Sequence, residues 1–162
     1  MMVALEVTLM QLSESIRPIL KHKGELVYSI APTDSVYQAI ATMAEKHIGA
    51  LLVVFEGKVV GIVSERDYAR KVILKGRASK ETTVSEIMTS PVIAISPDHT
   101  VGDCMKIISD HHIRHLPVMV GERPTAMISV GDLVNWIMSE QTETIRHLEA
   151  YITGTPTTST PA

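Results

Sequence analysis

Ser64 is followed three residues later by Asp67, and Ser129 by Asp132, each pair after a short apolar run, Gly61-Ile-Val or Ala126-Met-Ile. Such a run reads as a strand end opening into a helix. A carboxylate presents two acceptor oxygens, which suits the vicinal hydroxyls of a ribose. A hydroxyl at a helix N-terminus suits a sugar or phosphate oxygen. Apolar strand residues beside them can sandwich a flat base. The same spacing also makes a helix cap, in which the Ser oxygen accepts a backbone N–H bond and the acid returns one. The spacing alone leaves ligand clamp and cap both open.

Other reactive side chains offer less. Cys104 is the one cysteine, so an internal disulfide and a thiolate zinc cage are both excluded. It falls on the apolar stripe of a helical pattern and reads as core. His111, His112 and His115 cluster, either as metal ligands or as the histidines common at helix ends. No H-E-x-x-H accompanies them, and no metal is expected. Neither a P-loop nor G-x-G-x-x-G occurs, and no nucleophile is matched with a general base, so catalysis is not expected. Residues 66–80 carry Arg66, Arg70, Lys71, Lys75, Arg77 and Lys80, read either as a solvated helix face or as a phosphate-facing cluster.

Composition sets the wider limits. The chain has 162 residues, 45% hydrophobic and 20% charged, enough for one sizeable core. A net charge of −3 argues against general binding to nucleic acid or anionic membranes, and 4% aromatics against a base-stacking platform. The first ten residues lack a basic n-region, and the longest apolar run, 48–55, is too short to span a bilayer. A cytoplasmic protein is expected.

The elements that must position the two Ser–Asp pairs occur twice. Residues 27–67 align without a gap on residues 92–132, with ten of 41 positions identical, among them Pro32/Pro97, His47/His112, Ser64/Ser129 and Asp67/Asp132. Each copy predicts strand, helix, strand, strand, helix. The strands are expected over 27–30, 50–55 and 58–63, then over 92–95, 115–120 and 125–128. The first helix of each copy is capped by Asp34 or Ser35, and by Asp98 or Thr100. Thr83 and Glu86 predict a capping box and a short helix ending at Met88. A leading helix over 8–20 is expected to end or kink at Pro18, and the last helix to run to about Tyr151. The division is an arm over 1–19, repeats over 20–80 and 81–152, and a disordered Thr/Pro-rich tail over 153–162.

This duplicated set resembles a pair of CBS domains, the cystathionine-β-synthase motif, arranged as a Bateman module. The likeness lies in the β-α-β-β-α order, the x-P-x-x-T/S-V opening, the stretch His112-Ile-Arg-His-Leu-Pro-Val118 and the G-h-h-S-x-x-D ending, over about residues 20–150. It implies an α/β (α+β) fold, two repeats packed about a pseudo-twofold axis around one shared core, and usually a homodimer. It also implies a regulatory module that binds AMP, ATP or NAD(H) in clefts between the repeats and acts on an unknown regulated protein. The alternative is a ligand-free scaffold that docks a partner protein. The implied ribose clamps are Ser64 with Asp67 and Ser129 with Asp132. A crossed arrangement is implied, with Ser64, Arg66 and Asp67 sharing a cleft with Thr89, Pro91, Val92, Ile113, Arg114 and His115. Met127, Ser129 and Asp132 would share the other with Lys23, Gly24, Ile48, Gly49 and Ala50. Two departures stand out: Ala126 replaces the usual Gly, and the first lead-in segment lacks a pair like Met88-Thr89.

Overall fold

The computed structural model describes residues 2–153. In the first repeat, strand β1 (Ser29–Ile30) precedes helix α3 (Val36–Lys46), the hairpin β2 (Ala50–Phe55) and β3 (Lys58–Ser64), and helix α4 (Glu65–Lys71). Ser35, not Asp34, caps α3, in a reciprocal box with Gln38. The helix stops at His47, which adopts the left-handed conformation at φ 54°. Glu56 and Gly57 both have positive φ, which matches the twist of a two-residue hairpin loop. β2 pairs antiparallel with β3, Leu52 opposite Ile62, and parallel with β1, Leu52 opposite Ser29.

The second repeat follows the same plan in α5 (Val101–His111), β4 (His115–Val120), β5 (Arg123–Ser129) and α6 (Val130–Thr153). Thr100, not Asp98, caps α5 in a box with Asp103, and His112 ends it at φ 53°. The strand expected over 92–95 does not form; Ile95 alone bridges Val118. The cause is Pro117, which occupies the repeat position of Leu52. The Leu52 N–H donates to the Tyr28 carbonyl at 3.2 Å. A proline has no such proton, so the corresponding ladder bond is lost.

Two cores form where one shared core was expected. The first gathers Val36, Met43, Leu51, Val53 and Val63; the second gathers Cys104, Leu116, Val118, Ile128 and Leu133. Each is completed by the segment that leads into the other repeat. Val84 and Ile87, which precede repeat two, lie fully buried in the first core. Ile16 and Ile19, which precede repeat one, lie in the second. Backbone bonds repeat the exchange: Val84 N–H to Asp34 O at 2.8 Å, and Val101 N–H to Glu14 O at 2.9 Å. Each buried isoleucine or valine contributes about 1.5–3 kcal/mol to holding the exchanged segment.

The arm is two helices, α1 (Met2–Ser13) and α2 (Arg17–Lys23), with the break before Pro18 rather than at it. Pro18 sits in the first turn of α2, where its missing N–H is no loss. α1 lies so close to α5 at Gly102 that an added Cβ would stand 2.9 Å from the Leu12 carbonyl oxygen. The linker box of Thr83 and Glu86 forms, on a single 3₁₀ turn, Val84–Glu86. The tail expected to be disordered lies outside the described residues, except Thr153, which ends α6.

Candidate nucleotide clefts

Both Ser–Asp pairs are helix caps. The Asp67 carboxylate accepts from the Ser64 N–H at 2.9 Å and from its hydroxyl at 2.8 Å, and the Ser64 oxygen accepts from the Asp67 N–H at 3.2 Å. Asp132 accepts from the Ser129 N–H at 2.8 Å, and the Ser129 oxygen accepts from the Asp132 N–H at 3.2 Å. Because each helix begins directly after the last residue of its strand, each carboxylate stands near a strand end beside a cleft.

A lysine sits on each carboxylate. Lys71 Nζ lies 2.9 Å from the second Asp67 oxygen and donates to the Ile87 carbonyl at 2.7 Å, tying clamp to linker. Lys23, at the end of α2, reaches Asp132 at 2.5 Å. Burial pushes the Asp132 carboxyl upward, but the Lys23 and Ser129 donors outweigh it and hold the acid below its ordinary range.

The first cleft has a volume of about 560 Å³ and brings together Ser64, Arg66, Asp67, Thr89, Ile113, Arg114 and His115. Pro91 and Val92 do not line it; Ile93 does, with Ile62. Thr89 is pinned to β3 by two backbone bonds with Ile62, of 2.8 and 3.0 Å, and the chain turns away before facing the cleft again. Gly61 permits this approach: a Cβ there would stand 2.6 Å from the Met88 sulfur and 3.1 Å from the Thr89 carbonyl oxygen. Arg70 and Arg114 line the cleft with no ion-pair partner among the described residues, while Arg66 donates to the His112 carbonyl at 2.7 Å. With Lys71 balancing Asp67 and only Glu65 otherwise acidic in the lining, the cleft is cationic. Three isoleucines supply apolar wall.

The second cleft, about 400 Å³, brings together Lys23, Ile48, Gly49, Ala50, Met127, Ser129 and Asp132. Gly24 lies outside it, in a groove beside Ala126. Gly24 has φ 82°, and the chain leaves the cleft at Gly24 and Glu25 and returns to it at Leu26. Leu26, Tyr28 and His47 are lining residues that sequence reasoning missed. Two others belong to both clefts: Gly49, expected only in the second, and His115, expected only in the first.

The basic stretch over 66–80 divides. Arg66 and Arg70 line the first cleft, Lys71 holds the clamp, Arg77 pairs with Glu86, and Lys80 lies 5.0 Å over the Tyr37 ring. Lys71 carried a local sequence signal, the i,i+4 spacing from Asp67; Lys23 was placed beside Asp132 by the family resemblance alone. Among the described residues, no group of three or more His, Cys, Asp or Glu side chains is placed to share a metal ion.

The CBS domain profile matches residues 19–73 and 84–139. The chain is 37% identical over 151 residues to "CBS domain-containing protein CBSX3, mitochondrial" of Arabidopsis thaliana, covering 88% of this chain and 73% of that one. Among solved structures it is similar to a CBS-domain protein from Burkholderia ambifaria, with TM-score 0.76 and 46% identity over 79% of this chain and 96% of the other. It is also similar to the hexameric CBS-CP12 protein from bloom-forming cyanobacteria, with TM-score 0.68 and 28% identity over 75% of this chain and 69% of that one. The profile covers both repeats and the relatives extend over most of the chain, so the chain belongs to the CBS-domain family as a tandem CBS pair of α+β fold.

Proposed function

We propose that this tandem CBS pair is a sensor of adenine nucleotides, binding AMP, ATP or NAD(H) and signalling by a ligand-dependent shift in the placement of its repeats. CBS pairs are regulatory modules, and the Burkholderia relative is designated for signal transduction. The observation that carries the nucleotide reading is the first cleft: a carboxylate at a strand end, isoleucine walls for a base, and Arg70 and Arg114 unpaired for phosphate. Arginine meets phosphate oxygens in forked geometry, and several phosphates need several donors. The first cleft therefore takes the more highly phosphorylated or dinucleotide ligand, ATP or NAD(H). The smaller second cleft, whose one lysine already holds Asp132, takes AMP.

The test is direct. Mass spectrometry of the supernatant from heat-denatured protein identifies any nucleotide carried through purification. Calorimetry on stripped protein then compares ATP, AMP, NADH and NADPH. ATP and NADH should bind more tightly than NADPH, whose 2′-phosphate meets the Asp67 carboxylate. Failure of every adenine nucleotide to bind would return the clefts to packing features and favour the scaffold alternative. The apolar residues Val134, Met138, Ile145, Leu148 and Ile152, all exposed along α6, support a protein contact, which we assign to a homodimer. Light scattering tests that assignment, with a monomer as the contrary result.

A further inference from the structure

His115 opens β4 and lines both clefts. Its ring lies against the backbone of Gly49: an added Cβ on Gly49 would stand 3.2 Å from both Cε1 and Nε2. Gly49 also lines both clefts, so this pair of residues forms the partition between them. The geometry points to His115 as a binding residue shared by the two clefts, through which an anionic ligand in one raises affinity for an anionic ligand in the other. This inference rests on the nucleotide reading above and adds its regulation.

The coupling needs two states, and the imidazole has them: neutral and protonated. In the free protein the neutral state is favoured. Burial disfavours the imidazolium, Lys23 opposes it from the end of α2, and Arg114 and Arg66 oppose it from the first cleft. Asp132, on α6, favours it, but that carboxylate is held by Lys23. Glu65 reaches the same glycine, 3.6 Å from the position of the added Cβ. Asp67, His111 and His112 share the first cleft, and His47 the second.

A phosphate group in the first cleft would be held by Arg66, Arg70 and Arg114. It would offset the cations that keep His115 neutral and favour the imidazolium. An anion held by Lys23 in the second cleft does the same from the other side. Each ligand alone carries part of the cost of protonation, and the second finds the proton already bound. If each ligand raises the titration midpoint of the imidazole by about one pH unit, each increases the affinity of the other by up to about threefold, at the midpoint of the singly liganded protein. The effect vanishes in acid, where the ring is always charged, and in alkali, where it never is. The maximum lies between those extremes, where the singly liganded protein is half protonated.

Calorimetry on the full chain tests this, titrating ATP into free protein and into AMP-saturated protein at pH 5, 6.5 and 8.5, in two buffers of different ionisation heat. AMP should tighten ATP binding most at the intermediate pH, by up to about threefold, with proton uptake, and less at the two extremes. In His115→Gln the proton uptake and the pH dependence of the ratio should be lost. NMR titration of the His115 Cε1 proton in unaltered protein gives a reading that needs no variant: ATP should raise its midpoint. Binding of both nucleotides with an affinity ratio that does not move with pH, weaker ATP binding in the presence of AMP, or an unmoved His115 midpoint overturns the shared-wall role alone. Absence of any nucleotide binding overturns the sensor reading and this one with it.

Discussion

Replacing Asp67 by Ala separates the two jobs that its carboxylate can hold. In the free protein Asp67 is a cap. Its loss removes two bonds from Ser64, of 2.9 and 2.8 Å, and an ion pair with Lys71 at 2.9 Å. The cap is worth about 1 kcal/mol. The Lys71 pair, with a 42% exposed lysine side chain, adds no more than about 0.5–1 kcal/mol. Lys71 keeps its bond to the Ile87 carbonyl, so the linker stays anchored. The total, about 1.5–2 kcal/mol, corresponds to a fall in Tm of about 3–8 °C for a chain of this size. As a ribose clamp, Asp67 makes charge-assisted bonds worth about 1.5–3 kcal/mol each. Loss of one such bond weakens binding at the first cleft by at least about tenfold. Differential scanning fluorimetry measures the first effect and calorimetry with ATP the second. ATP affinity within twofold of the unaltered protein, alongside the expected fall in Tm, would refute the clamp and leave Asp67 a cap alone. An unchanged Tm would refute the capping estimate.

Three further outcomes follow from packing and charge. Gly61→Val should destabilise the protein by about 1–3 kcal/mol, because its Cβ collides with Met88 and crowds the Thr89 carbonyl; urea melts check this, and an unchanged midpoint would show that the linker moves aside freely. The Cys104 thiol, fully buried and pushed up to about 11 by burial and then by Asp103, should resist a disulfide reagent at pH 8 in folded protein and react at once in denaturant. Free His115 resists protonation, chiefly through burial. Its contribution to stability is complete above the unfolded value near pH 6.5 and is lost as pH falls through the lower folded value. His115→Gln should therefore flatten the Tm loss between pH 7.5 and pH 5; a parallel loss in both proteins would count against a neutral buried imidazole.

The features that the amino-acid sequence determined by itself are those settled within a few residues. Capping boxes at Ser64 and Thr83 follow from a hydroxyl and its partner three positions on, whereas at the α3 and α5 starts the sequence left Asp34 beside Ser35 and Asp98 beside Thr100. The Glu56-Gly57 turn, the apolar strand runs and the register of the duplication were legible for the same reason. So was the crossed pairing of clefts, though only through family resemblance. Three expectations failed where a neighbour in space overrode the local signal. The strand over 92–95 was lost to Pro117, a residue of the strand beside it. Pro18 stands in the first turn of a helix instead of ending one, and Ile16, just before that helix, is buried in the second core. The single expected core divided because each lead-in segment completes the core of the other repeat.

The clefts themselves were decided only by tertiary structure. The Lys23–Asp132 pair joins residues 109 positions apart, and no local preference encodes it. His115 reads in sequence as the first residue of a strand, and only the packing of one repeat against the other makes it a wall common to two cavities. Closing a loop of that length costs chain entropy that no local hydrogen bond can offset. The burial of Ile16, Ile19, Val84 and Ile87 offsets it, and so the exchange of segments between cores determines which charges meet in each cleft.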